Sequence, residues 1–158
     1  MSSASPPLFR SRESGGYSDA VRNDPRRVFA RKRIRNVQVQ FADQPTTVTT
    51  REGIVHAMPG DAIMTGPEGD RWRVSRARFS EKYIPVAPTV TGAAGQYSSL
   101  PIKVIAVPMK APFAVLLADG VSTLQGKSGD WLVDYGDGSL GIVAASIFMS
   151  TYEIVTGG

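Results

Sequence analysis

From residue 36 the chain alternates. Val37, Val39 and Phe41 fall between Asn36, Gln38 and Gln40, a period of two that turns one face of a strand into a core. TTVTTREG, with β-branched threonines around Val48, predicts a second strand ending at the Glu52-Gly53 turn. After Pro59-Gly60-Asp61, the runs AIMT and DRWRV flank the turn GPEG and predict a β-hairpin closed by a glycine-containing loop. The period then lengthens. Phe79 and Tyr83 are four residues apart behind Ser75, a candidate N-cap, so SRARFSEKY predicts a short helix carrying both rings onto the sheet, ended by Pro85.

The plan then recurs. KVIAVPM and FAVLLADG predict two strands, DWLVDYGDGSLGIV a hairpin around Asp137-Gly138, and AASIFMSTY a helix with Phe148 and Tyr152. Gly60 to Val86 aligns without a gap on Gly129 to Val155, 69 residues later, with seven of 27 positions identical. The expected fold is therefore α+β, mainly β: two tandem repeats of a small antiparallel β-sheet unit, each ending in a short helix, related by a pseudo-twofold. The small, glycine-rich stretch 87–100 reads as a linker between module 1 (37–86) and module 2 (101–158).

Thr50-Arg51-Glu52-Gly53, Pro59-Gly60-Asp61, Gly66 to Gly69 and Phe79/Tyr83/Val86 together resemble the PGDYG family of bacterial and phage proteins. Its pattern runs T-x-E-G, P-G-D-aromatic-aliphatic-aliphatic, a glycine hairpin and F-x-x-x-Y-x-x-V. Module 2 is similar through Gly129-Asp130-Trp131-Leu132-Val133, Gly138 and Phe148/Tyr152/Val155, with Ser128 where the pattern has Pro; module 1 departs at Ala62, where an aromatic is usual. The resemblance implies a fold and supplies no catalytic residues.

Composition changes this picture little, but charge distribution changes it more. With 42% hydrophobic and 20% charged residues the body is that of a globular protein, and no apolar run approaches the roughly 18 residues a membrane span needs. MSSASPPLFRSRESGG has no apolar stretch behind its charges and is not expected to be a secretory signal. Zero cysteines fit a reducing compartment, so the expected location is the cytoplasm, or a virion if the chain is phage-derived. The net charge of +4 lies wholly in the first 36 residues, nine Lys or Arg against three acids; residues 37–158 carry nine basic and eleven acidic groups. Residues 1–36 thus form a basic arm, expected to be flexible unless bound. Within it, DPRRVFARKRIRN could be a short helix with Pro25 near its start or an extended linker.

Gly60-Asp61 and Gly129-Asp130 are repeated polar pairs explained as turns, glycine supplying positive φ and aspartate accepting backbone N–H groups. DYGDGS lacks the third spaced acid and terminal Glu of a calcium loop, and His56 is the only histidine. Neither a nucleophile elbow nor a phosphate-binding glycine loop is present. No catalytic set, metal site or cofactor is expected, and the chain reads as a non-enzyme.

The copies differ on one face. Arg71, Arg73, Arg76 and Arg78 correspond to Leu140, Ile142, Ala145 and Ile147, and Ser80 to Met149. Read as outward, Leu140, Ile142, Ile147 and Met149 are candidate contacts for a protein partner or for self-association. Arg71, Arg73, Arg76 and Arg78, with Arg26, Arg27, Arg31, Lys32, Arg33 and Arg35 of the arm, are candidate anion or nucleic-acid contacts. The expected function is a binding or assembly protein using the apolar face, with the arm as tether. A nucleic-acid-associated protein, or a small-ligand binder or enzyme at the seam between modules, are the alternatives.

Overall fold

The computed structural model describes residues 6–155. The first part of the chain forms β1 (Leu8–Arg10), α1 (Asp19–Arg22), β2 (Val28–Lys32), β3 (Asn36–Phe41), β4 (Thr46–Thr50), β5 (Gly53–Ala57), β6 (Ala62–Thr65), β7 (Arg71–Val74), α2 (Arg76–Lys82) and β8 (Tyr83–Pro85). There follow β9 (Gly95–Ser99), β10 (Lys103–Pro108), β11 (Phe113–Leu116), β12 (Thr123–Gly126), β13 (Trp131–Asp134), β14 (Leu140–Val143), α3 (Ala145–Thr151) and β15 (Tyr152–Val155). The protein is mainly β, with several antiparallel sheets. It divides into unit 1, Met1–Arg31 with Lys103–Gly158, and unit 2, Lys32–Ile102.

Unit 2 holds a five-stranded sheet in the order β7-β6-β3-β9-β8 and the two-stranded hairpin β4-β5. Alternation in β3 sends Val37 and Val39 inward, where they meet Ala62, Met64, Phe79, Tyr83 and Tyr97. The Phe79 ring stacks on Tyr83 at 5.2 Å and meets Tyr97 edge-on at 4.8 Å, so three rings clamp α2 to the sheet. Gln38 and Gln40 on the other face are exposed. The β4-β5 hairpin buries Val48, Val55 and Ala57 and packs on β7.

Unit 1 holds a five-stranded sheet in the order β14-β13-β10-β2-β15 and the three-stranded sheet β1-β11-β12. On the helix side, Trp131 stacks on Phe148 at 4.0 Å and Phe148 on Tyr152 at 5.2 Å. The other face is also covered, by β11, β12 and α1, whose Val21 is fully buried. This is why Val104, Ile105, Ala106 and Val107 of β10 are all buried, whereas β3 alternates.

Several elements depart from the sequence reading. Residues 95–99, inside the stretch expected to be a linker, form β9, because Tyr97 lies 1% exposed opposite Val37 and its hydroxyl donates to the Ala93 carbonyl at 2.8 Å. The described residues of the arm contribute β1, α1 and β2. The segment after Asp24 is extended rather than helical, and Ala30 of β2 pairs with Val104. Strands β5 and β12 complete hairpins with β4 and β11. Ser75 stands at the N-cap of α2 without a side-chain capping bond, and Tyr83 begins β8 rather than ending the helix. Residues 1–5 of the arm and 156–158 of module 2 lie outside the described residues.

Candidate protein-binding surface

The apolar face of module 2 does not look outward. Leu140 is 4% and Ile142 8% exposed, because β14 faces β11 and β12 within unit 1. Full burial of a Leu or Ile side chain contributes about 1.5–3 kcal/mol, so both positions belong to the core of the unit. Ile147 is half-buried, and only Met149 of these four is exposed.

The paired turns are built alike. Asp61 Oδ2 accepts the Met58 N–H at 2.9 Å, and Asp130 Oδ2 accepts the Lys127 N–H at 3.0 Å. Gly60 and Gly129 adopt φ of 93° and 98°, open to glycine at little cost. Asp61 additionally faces Arg73, whose Nη1 lies 3.3 Å from Oδ2 and also reaches the His56 carbonyl oxygen. The Arg73 Nε is buried with no hydrogen-bond partner.

The remaining cations are divided between the two units. Arg26, Arg27 and Arg31 belong to unit 1, and Lys32, Arg33, Arg35, Arg71, Arg76 and Arg78 to unit 2. Asp24 holds Arg26 in an ion pair, which lowers the Asp24 carboxyl below its ordinary range chiefly through that hydrogen bond. Arg31 pairs with Glu153. Lys32 Nζ donates to the Tyr83 hydroxyl at 2.5 Å and lies over its ring. Arg71 and Arg76 are exposed, and Arg78 is half-buried. Among the described residues no group of three or more His, Asp or Glu is placed to hold a metal, and no helix is long and apolar enough to cross a membrane.

What unit 1 does hold is an extended segment of its own arm. β1 runs parallel to β11, with the Ala114 N–H donating to the Pro7 carbonyl and the Ser11 N–H to the Leu116 carbonyl. The segment then crosses to the start of β14. There the Arg12 N–H donates to the Gly138 carbonyl at 2.7 Å, and the Leu140 N–H to Ser11 Oγ at 3.0 Å. Phe9 meets Phe113 edge-on at 6.3 Å. Further along, the Ser18 and Gly136 N–H groups donate to the fully buried Asp134 carboxylate. Burial raises the Asp134 carboxyl above its ordinary range, and burial first, then Asp134 and Asp137, raises Tyr17.

Unit 2 has matching strand edges. The antiparallel register places Thr50 opposite Gly53 and Val48 opposite Val55 beside a two-residue turn, so the N–H and C=O groups of Thr47 and Thr49 face away from β5. They match Ala114 and Leu116 on β11. Gly69 and Arg71 likewise match Gly138 and Leu140 across the hairpins. Among the described residues no strand pairs with this edge of β4. Gly138 is buried and a Cβ there would collide with the Ser14 carbonyl, whereas nothing lies within 4 Å of a Cβ on Gly69. Thr47, Thr49 and Gly69 were not candidates from sequence, since threonines in a strand and glycine in a turn carry no ligand signal alone.

The PGDYG protein family model matches residues 53–153. No curated protein and no solved structure matches the chain.

Proposed function

The chain belongs to the PGDYG protein family, and we propose that it works as a non-enzymatic peptide-binding and assembly protein. In this reading unit 1 is closed by its own arm, and unit 2 receives an extended segment of another protein. The two units are read as diverged copies of one ancestral module, supported by their matching sheet orders and matching Gly-Asp turns. The observation that carries the reading is the contrast in strand edges. An edge of exposed N–H and C=O groups binds extended chain by adding a strand, and the chain does this to itself on β11. The same edge on β4 bears exposed threonines, with neither a proline nor an inward charge to block pairing.

The arm's role changes accordingly, from a free tether to a strand added to β11 and bonded to the start of β14. A displayed library of random peptides, panned against the intact chain, tests the reading. A recovered consensus that binds the soluble chain is the expected result. If no peptide family is enriched, while duplex DNA binds with an affinity that falls steeply with salt and depends on Arg71, Arg76 and Arg78, the nucleic-acid reading replaces it.

A further inference from the structure

We propose that the outer edge of β4, together with the Gly69–Arg71 end of β7, takes an extended acidic segment of a partner protein running parallel to β4. The inference rests on the peptide-binding reading and adds the location, direction and charge of the occupant.

The direction comes from unit 1. There the occupant runs parallel to its strand, gives its first carbonyl to the Ala114 N–H, gives an N–H four residues later to the Leu116 carbonyl, and gives the next N–H to the Gly138 carbonyl. In unit 2 the corresponding groups are the Thr47 N–H, the Thr49 carbonyl and the Gly69 carbonyl. β4 rests against β7 within the same unit, so the two edges are neighbours. An incoming segment of about six residues therefore meets the same sequence of donors and acceptors.

The charge comes from the substitutions between the units. Where the arm in unit 1 meets Leu140, a segment on unit 2 would meet Arg71. Arg71 is exposed, whereas Arg73 is already held by Asp61 and the His56 carbonyl. Of the acids nearby, the Asp61 carboxylate is already engaged by the Met58 N–H and Arg73, the Asp70 carboxylate lies against Gly66, and Glu52 sits in the β4-β5 turn. Glu68, exposed beside Gly69, and Asp70, half-buried beside Arg71, are the acids the occupant's own carboxylates must avoid. An acidic residue where the arm has Arg12 would meet Arg71. The arm itself carries Arg10 and Arg12, so a second copy's arm would set cation against cation at Arg71, and the occupant is a partner of opposite charge.

Two synthetic peptides test this on the intact chain: Pro6 to Arg12 of the protein itself, and the same peptide carrying Arg10→Glu and Arg12→Glu. Backbone amide shifts report the site. The expected result is that the acidic peptide moves the amides of Thr47, Thr49, Gly69 and Arg71, leaves Ala114 and Gly138 in place, and binds roughly fivefold more tightly than the native-sequence peptide at low salt. Arg71→Glu, at an exposed position, should reverse that preference. Equal binding of the two peptides, tighter binding of the native sequence, or shifts confined to other residues overturns the proposal, as does no shift with either. If random peptides are enriched while these amides stay still, only the site and charge are wrong. If nothing is enriched, the peptide-binding reading falls with them.

Discussion

The Ser18 N–H donates to Asp134 Oδ2 at 2.7 Å, tying the arm to a carboxylate with no solvent exposure. Burial raises the Asp134 carboxyl above its ordinary value and outweighs the lowering by the Ser18 and Gly136 amides and Arg12; Asp137 adds to the rise. The folded state therefore binds more protons than the unfolded chain between the two values. The contribution of this group is full below the unfolded value and is lost as pH rises through the folded one. Against a non-titrating Asp134→Asn chain, the native protein should show its greatest relative stability in acid, with the difference declining as pH rises through the carboxylate range. Urea midpoints at stepped pH measure it, and a difference independent of pH would count against a buried, raised carboxyl.

Gly138 and Gly69 end corresponding hairpins at φ of 95° and 78°. Alanine at either pays for the left-handed backbone, about 1–2 kcal/mol. Only Gly138→Ala also drives a methyl into the Ser14 backbone. Its loss of stability should be roughly twice that of Gly69→Ala or more, read from urea unfolding, with faster amide exchange at Arg12. Equal losses would mean that the arm does not lie on this hairpin.

Leu140→Lys and Ile142→Lys each place a charge in the covered face of unit 1. A cost of about 3 kcal/mol or more is expected for each, with the loss appearing as a lower melting temperature. Met149→Lys, at an exposed position, should stay within about 0.5 kcal/mol of the native chain. If Leu140→Lys instead melts normally and only lowers the mass in light scattering, the face is an interface between molecules.

Arg73→Ile should be tolerated within about 1 kcal/mol, although removing one member of a buried ion pair usually costs about 3–5 kcal/mol. Asp61 keeps the Met58 N–H, and Asp130 is equally buried with Ile142 in the corresponding place. The orphaned Nε is removed as well. Comparison of urea midpoints decides between the two magnitudes.

The local signals were legible. Alternation in Asn36–Phe41, the Gly-Asp turns, the Phe79/Tyr83 and Phe148/Tyr152 spacing, and both short helices follow from residues close in the chain. Strands β2 and β9 were not. Their pairing partners are distant in sequence, and neither VFARK nor GQYSS has the period-two pattern that would announce a strand. The cover over the apolar face of module 2 is illegible in the sequence for a related reason. An apolar run in β10 and β14 shows that both sides of a strand are dry, but the pattern does not say whether the cover is a partner or, as here, β11, β12 and α1 of the same unit.

By itself, then, the sequence determined the repeated hairpin and helix, the turns and the concentration of positive charge at one end, since each depends on backbone preference or composition. Tertiary structure decided that the arm pairs within unit 1 and that, among the described residues, no strand pairs with the outer edge of β4. Both depend on where strands distant in sequence come to lie, because each backbone edge must find hydrogen-bond partners in the chain, in water or in another protein.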